Sequence, residues 1–189
     1  MFSQIEPQKH EFEVKTADNL SLSVFSIENK DKADLRPTVL LLHGGGRSKE
    51  IWETRGVVKD LYEAGYNIVA IDIRGNGKSD PQIEGQFTYP ILDARAAVNW
   101  IRNNSQFKSG DIGAMGSSYG SNILVAASVL SDLEFKTMIL FSATAVARRV
   151  IDNPERFRVK NSRNNKIKSA FYIASDNELE RYAASDTAN

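Results

Sequence analysis

The sequence of 189 residues contains no cysteine, which excludes disulfide bonds, thiolate metal sites and a cysteine nucleophile. It has no excess of either charge, because 24 Lys and Arg residues balance 24 Asp and Glu residues. A neutral chain has no global field to attract nucleic acid or an anionic membrane surface, so neither is expected as a partner. No segment approaches the roughly 20 consecutive apolar residues of a membrane-spanning helix. We therefore expect a cytoplasmic protein with no membrane span.

The spacing of apolar residues predicts two kinds of strand. Polar and apolar residues alternate in HEFEVKT (10–16) and LSLSVFSI (20–27), which indicates two half-buried strands joined as an antiparallel hairpin. Five later runs are short and continuously apolar, as in parallel strands that are buried on both faces. These runs are 38–43, 66–73, 111–116, 136–143 and 168–175.

Helical patterns separate these runs, at 54–65, 89–104 and 119–130. The alternation of strand and helix predicts an α/β fold with a mostly parallel central sheet, helices on both faces and an N-terminal antiparallel hairpin. Asp93 falls inside the second helical pattern and is interpreted as a structural polar residue. No repeat or linker divides the chain, so we expect residues 1–189 to form a single domain.

The segment GSSYG, Gly116 to Gly120, lies where a predicted buried strand meets a predicted helix. A G-x-S-x-G at such a junction is typical of a nucleophile elbow, in which a strained turn exposes the serine hydroxyl. On this interpretation Ser118 is the nucleophile, and the amide of Tyr119 at the helix N-terminus stabilises an anion beside it. Gly116 and Gly120 are needed because side chains there would collide with the neighbouring strand and helix. The alternative is a tight turn without chemistry.

A second motif, LLLHGGG (40–46), follows the first buried run. A backbone N–H from such a loop supplies the second donor of an oxyanion hole. Gly45 is our first choice for that donor, followed by Gly44 and Gly46. The alternatives are a flexible glycine loop and a phosphate-binding loop, and no G-x-G-x-x-G supports the latter.

A third motif, DIRGNGKSD (72–80), ends in the Gly-Lys-Ser of a P-loop but has Asp72 where that loop requires glycine. It therefore predicts a tight turn that shapes a cleft. These three motifs, in this order, resemble the α/β-hydrolases, most closely the compact dienelactone-hydrolase or serine-aminopeptidase-like group. The resemblance extends over about residues 10–180.

The resemblance implies a hydrolase that cleaves an ester or related acyl bond of a small-molecule substrate through a serine. It implies no metal and no organic cofactor. In this family the histidine at the position of His43 is structural and braces the oxyanion loop. The segment 143–168 is short, so no large cap domain is expected.

The family order also implies an acid after the run at 168–175, and then a histidine. Asp176 stands in the acid position, and its alternative role is the N-cap of a following helix. The two histidines of the sequence, His10 and His43, both precede Ser118. We therefore expect the triad histidine and the last strand and helix of the fold to be missing. The run at 168–175 would then form an exposed apolar sheet edge that favours self-association.

Three interpretations of the missing histidine stay open. The chain is a fragment of a longer hydrolase, which we favour, or a shortened member that binds without turnover, or another subunit supplies the histidine. Loss of a triad member lowers turnover on the order of 10⁴- to 10⁶-fold, so weak or absent activity is expected of this chain alone. The alternative function is a non-catalytic, hydrolase-like binding domain.

Overall fold

A seven-stranded sheet lies at the centre of the protein, in a computed structural model that describes residues 7–29, 36–82, 90–107, 111–144 and 170–173. The strands are β1 (Lys9–Lys15), β2 (Ser21–Ile27), β3 (Thr38–Leu42), β4 (Asn67–Ile71), β5 (Ile112–Ser117), β6 (Met138–Phe141) and β7 (Ala170–Ile173). The helices are α1 (Ile51–Thr54), α2 (Val57–Glu63), α3 (Pro90–Asn103) and α4 (Tyr119–Leu130). The order across the sheet is β1-β2-β4-β3-β5-β6-β7.

Five of these strands, β4, β3, β5, β6 and β7, run parallel to one another. Strands β3 and β4 are buried at every position, as expected for strands covered on both faces. Each of the five apolar runs overlaps one of the parallel strands, so the predicted parallel sheet is confirmed. Because parallel strands end at one edge of a sheet, the loops after β3, β4 and β5 all meet there.

The predicted N-terminal hairpin is also confirmed. Strands β1 and β2 pair antiparallel, with Phe12 opposite Val24, and β2 in turn pairs antiparallel with β4. The Thr16 amide closes the turn by donating to the Leu20 carbonyl at 2.9 Å. Asn19 adopts a positive φ of 66° in this turn, a conformation that asparagine tolerates better than most residues.

Helices pack on both faces of the sheet, as predicted. Helices α3 and α4 cover one face, where their buried side chains contact alternate residues of β2, β3 and β4. Helices α1 and α2 cover the other face. There Trp52 and Val58 pack with the remaining alternate side chains of β2, β3 and β4, which point away from α3 and α4. Apolar residues buried on the first face include Leu40, Leu42, Val69, Ile71, Val98 and Leu124, and those on the second include Val39, Leu41, Ile68 and Ala70.

The predicted helix at 54–65 differs from the structure at its start. The backbone leaves the helical conformation at Gly56, whose φ is 76°, so that α1 ends at Thr54 and α2 begins at Val57. Only glycine adopts this left-handed conformation without strain, which explains why the break falls at this residue. Helix α2 still packs on the sheet through its apolar residues, with Val58 buried and Leu61 packed against the same cluster.

Strand β7 lies at one end of the described sheet, next to β6. The expected self-association through this edge stays a prediction. Within the described ranges, no helix combines the length and the apolar character that crossing a membrane requires.

Candidate active site

Ser118 lies on the sharp turn between β5 and α4, at the carboxyl edge of the sheet. Its φ of 48° and ψ of −107° fall outside the regions that a residue with a side chain ordinarily occupies. The turn is fixed from both sides, because the Ser118 amide donates to the Phe141 carbonyl at 2.7 Å and the Ser118 carbonyl accepts from the Asn122 amide at 3.2 Å. The serine itself is exposed to solvent. A rigid turn therefore presents its hydroxyl at the surface.

The glycines on either side of this turn are required by close backbone packing. A methyl group built on Gly116 would lie 2.6 Å from the Ser121 amide nitrogen. One built on Gly120 would lie 2.2 Å from the Leu42 carbonyl oxygen. Contacts this short with backbone atoms force the strand or helix to move, so both positions allow α4 to pack directly on β5 and β3.

The glycine loop after β3 lies against the Ser118 turn. A methyl group on Gly44 would lie 3.7 Å from Ser118 Cβ, and one on Gly45 would lie 3.8 Å from Tyr119 Cβ. Neither the Gly45 nor the Tyr119 amide has a hydrogen-bond partner within the described part of the chain. The Gly46 amide, in contrast, donates to Asn76 Oδ1 at 3.0 Å. The amides of Gly45 and Tyr119 therefore belong to the two segments that meet here, and neither is paired with a described residue.

His43 is fully buried at the start of the glycine loop, and both of its ring nitrogens are engaged. Nδ1 donates to the Gly44 carbonyl at 2.7 Å, and Nε2 accepts from the Ile73 amide at 3.0 Å. This pairing assigns the proton to Nδ1 and leaves the ring neutral. Burial lowers the pKa of His43 below its ordinary value, despite the opposing effects of the Gly44 carbonyl and Asp72. His43 therefore joins the loops after β3 and β4.

A buried ion pair lies beneath the same loop. Asp72, at the end of β4, accepts from the Lys49 backbone amide at 2.7 Å and from Lys49 Nζ at 3.0 Å. Both side chains are fully buried. Burial acts to lower the pKa of Lys49, but the hydrogen bond and charge of Asp72 outweigh it and raise that pKa. Lys49 also donates to Ser23 Oγ at 2.9 Å, which connects the loop to β2.

A second buried pair holds the turn after β4. Arg74 Nε donates to Asp93 Oδ1 at 2.7 Å, and the Arg74 amide donates to Asp93 Oδ2 at 2.9 Å. Arg74 Nη1 also donates to Asp18 at 2.7 Å. Burial raises the pKa of Asp93, and the bonds from Arg74 oppose that rise. The interpretation of Asp93 as a structural polar residue is confirmed.

A cavity of about 170 Å³ opens beside Ser118. Ser117, Gly44, Gly45, Arg47, Ile51, Trp52 and Arg55 complete its wall. The indole Nε1 of Trp52 is buried and has no hydrogen-bond partner in the part of the chain that the structure describes. A larger cavity of about 540 Å³ shares Arg47 with it and is lined by Gly75, Asn76 and Gly77, so the 72–80 turn shapes a cleft as predicted.

Two further residues that the sequence brought into consideration, His10 and Asp176, are not among the residues of the described site. His10 is on the exposed edge strand β1, which β2, β4 and β3 separate from β5. Four strand spacings of ~4.8 Å place β1 roughly 19 Å from β5. Asp176 lies outside the described residues. Across the described ranges, no group of three His, Cys, Asp or Glu residues is arranged to hold a metal ion.

No pattern in the sequence indicated the roles of the buried Lys49, the half-buried Asn76 or the two arginines of the cavity wall. Lys49 and Arg47 lie in an irregular loop, where no periodicity distinguishes a buried side chain from an exposed one. The nearest available signal was the acid Asp72 after a buried strand, which indicates that a cation lies close by.

The model of the α/β-hydrolase fold family matches residues 37–173. The chain belongs to the α/β-hydrolase family. This match begins just before β3 and ends with β7, so it includes the glycine loop, the 72–80 turn and Ser118. The resemblance that the three motifs indicated is therefore confirmed.

Individual relatives add detail to this assignment. Rat ABHD14B, described as a candidate protein-lysine deacylase, is 51% identical over 45 residues, which are 24% of this chain and 21% of that protein. The match thus spans about a fifth of that relative. The esterase Pf2001 of Pyrococcus furiosus superimposes with a TM-score of 0.66 at 25% identity, covering 93% of this chain and 77% of the esterase. The bottromycin epimerase BotH superimposes on this α/β-hydrolase with a TM-score of 0.57 at 24% identity, covering 71% of this chain and 49% of BotH. This likeness shows the shared fold alone.

Proposed function

We propose that this α/β-hydrolase is a serine hydrolase that cleaves an ester or related acyl bond. The observation that carries the proposal is the exposed Ser118 on a positive-φ turn, beside the amides of Gly45 and Tyr119, which have no hydrogen-bond partner among the described residues. The family and its esterase relative support hydrolysis in general terms. Rat ABHD14B is described as a deacylase, and removal of an acyl group likewise breaks an acyl bond.

In the proposed reaction Ser118 Oγ attacks the carbonyl carbon of the substrate. The new C–O bond moves the carbonyl electron pair onto its oxygen, and the serine proton passes to a base. Collapse of this tetrahedral intermediate re-forms the carbonyl and expels the alcohol, which takes up the proton. Water then hydrolyses the acyl–serine ester by the same steps, so the products are an acid and an alcohol.

The oxyanion of the intermediate is the charge that this site is suited to stabilise. The Tyr119 amide is the first of α4, and helix N-termini carry unpaired N–H groups and a partial positive charge. Gly45 supplies the second donor from the facing loop, and Gly46 is less suited because Asn76 already accepts from its amide. Removal of one such donor costs on the order of 10²- to 10³-fold in turnover in enzymes of this kind.

Neither of the two histidines of the sequence is positioned to act as the general base for Ser118. His43 uses both ring nitrogens in bonds to the backbone, and His10 lies on the far edge of the sheet. Asp176 is proposed to orient a histidine that this sequence does not contain. Turnover by this chain alone is therefore expected to be slow, because a serine without a base stays protonated.

The second candidate function is a non-catalytic binding domain. The observation that favours it is the absence of any histidine after Ser118 in the sequence. The relative that is named as an epimerase also shows that this fold alone does not determine the reaction. In this case the cavity beside Ser118 would bind a ligand without forming an acyl–serine bond.

Labelling with a fluorophosphonate tests the two functions against each other. We expect the probe to modify Ser118, slowly in buffer and faster with added imidazole, which supplies the base from solution. Ser118→Ala should abolish labelling, whereas the control Ser117→Ala, which removes the neighbouring hydroxyl of the same cavity wall, should retain it. Peptide mass analysis would identify the modified residue. Absence of labelling at Ser118 with and without imidazole would contradict the hydrolase and favour the binding domain.

A further inference from the structure

The cavity beside Ser118 has an unusual charge for a chain whose net charge is zero. Arg47 and Arg55 stand at the two ends of the segment 47–55 in its wall, and no Asp or Glu is among the described residues that line it. Both arginines are exposed, so their guanidinium groups are hydrated and accessible to a ligand. The wall is therefore cationic and rich in donors.

The acids nearest to these arginines in the chain are already paired with lysines. Glu50 lies 3.1 Å from Lys49 Nζ, and Glu53 lies 3.0 Å from Lys9 Nζ. Neither Arg47 nor Arg55 forms an ion pair with any residue that the structure describes. Within the described ranges, the positive charge of the two arginines is thus not neutralised by an ion pair, although the chain as a whole is balanced.

We propose that the substrate of this site carries a carboxylate, which Arg47 and Arg55 bind while the ester carbonyl lies at Ser118. The proposal rests on the proposed function and specifies its substrate class. Arginine suits this task because its planar guanidinium donates two parallel hydrogen bonds to a carboxylate. The volume of about 170 Å³ equals roughly five or six water molecules at ~30 Å³ each, so the acyl part between the two groups is short.

A matched pair of esters tests the selectivity. The 4-nitrophenyl monoester of adipic acid carries a free carboxylate, and its methyl ester is neutral at the same position. With imidazole as the base, we expect the monoester to acylate Ser118 faster than the methyl ester. The variant with Arg47→Gln and Arg55→Gln should lower the ratio of the two rates by about tenfold, as expected for two partly exposed charge-assisted contacts. Arg102→Gln, an exposed arginine on the opposite face of the sheet, is the control and should leave the ratio unchanged.

A binding measurement separates this inference from the proposed function. Calorimetric titration of the Ser118→Ala variant with adipate should show binding that Arg47→Gln and Arg55→Gln weaken about tenfold and that added salt weakens as well. If both esters acylate Ser118 at equal rates and the arginine variant leaves the ratio unchanged, the inference is overturned while the hydrolase stands. If adipate binds through the arginines but neither ester reacts at Ser118, the carboxylate site stands and the hydrolase is overturned.

Discussion

The close packing of α4 on β5 leads to a prediction that compares two glycines of the same strand. At Gly116 an added methyl group would lie 2.6 Å from the Ser121 nitrogen and 2.8 Å from the Gly120 carbonyl carbon. At Gly113, three residues earlier in β5, the nearest atom would be the Thr137 carbonyl oxygen at 3.7 Å, an ordinary contact. Neither glycine has a positive φ, so Gly→Ala tests steric space at both positions.

The distances determine the size of the expected effect. To restore a contact of 3.4 Å from 2.6 Å, Gly116→Ala must shift the first turn of α4 by about 0.8 Å. Overpacking that moves a buried backbone costs about 1–3 kcal/mol, and the upper half of this range applies because backbone atoms cannot rotate away. In a strand, Gly→Ala also stabilises the folded protein by about 0.5–1 kcal/mol, because it reduces the entropy of the unfolded chain. We expect a net loss of about 2 kcal/mol for Gly116→Ala, and no loss for Gly113→Ala.

Urea unfolding followed by the fluorescence of Trp52 and Trp100 measures both variants. With a slope of about 2 kcal/mol/M, a loss of 2 kcal/mol lowers the midpoint by about 1 M. Gly116→Ala should also slow fluorophosphonate labelling, because the shift displaces Ser118. Equal midpoints for the two variants, or a larger loss for Gly113→Ala, would refute the argument that the elbow glycines are required by packing.

Two further predictions concern the buried polar groups. Asp93→Asn should lower the free energy of unfolding by about 3 kcal/mol, because it removes the charge of a buried acid that accepts two hydrogen bonds from the buried Arg74. Asp132→Asn, at an exposed ion pair, is the control and should change the urea midpoint little. Because the pKa of His43 is lower in the folded state, the unfolded chain binds more protons, so stability should fall as pH decreases below about 6.5. The free energy of unfolding should change by no more than about 1.4 kcal/mol per pH unit for one proton. Urea midpoints that do not decrease as the pH is lowered from 7.5 to 5 would contradict the assignment of a neutral His43.

Much of the fold could be predicted from the sequence because burial on both faces leaves a continuous apolar run. TVLLL (38–42) and NIVAI (67–71) are such runs, and both are strands in the structure. The GSSYG segment was placed correctly at a strand–helix junction for the same reason, since an apolar run precedes it and a helical pattern follows. Local patterns therefore located Ser118 in the fold without any tertiary information.

The remaining features depend on contacts between distant segments. The break at Gly56 was missed because an isolated glycine is tolerated inside a helical pattern and does not by itself mark an end. The burial of Lys49 depends on Asp72, which is 23 residues away in the sequence. Arg47 and Arg55 both line the cavity beside Ser118, on either side of α1 in the chain. No periodicity records such pairings, so the electrostatics of the site required the structure.

The buried charges under the site are better explained by the positions that they fix than by the stability that they contribute. A buried ion pair is often no more stabilising than apolar residues of the same volume, because removing two charges from water costs several kcal/mol per ion. Asp72, however, binds the Lys49 backbone amide and the Lys78 amide at 2.9 Å, and His43 binds the Ile73 amide, so these groups connect the loops after β3 and β4. Donors that are held in place before the reaction stabilise a developing oxyanion without reorganising. Lys49→Met should therefore reduce the rate of Ser118 labelling more than the loss of stability alone predicts, and a rate that simply follows the folded fraction would contradict this role.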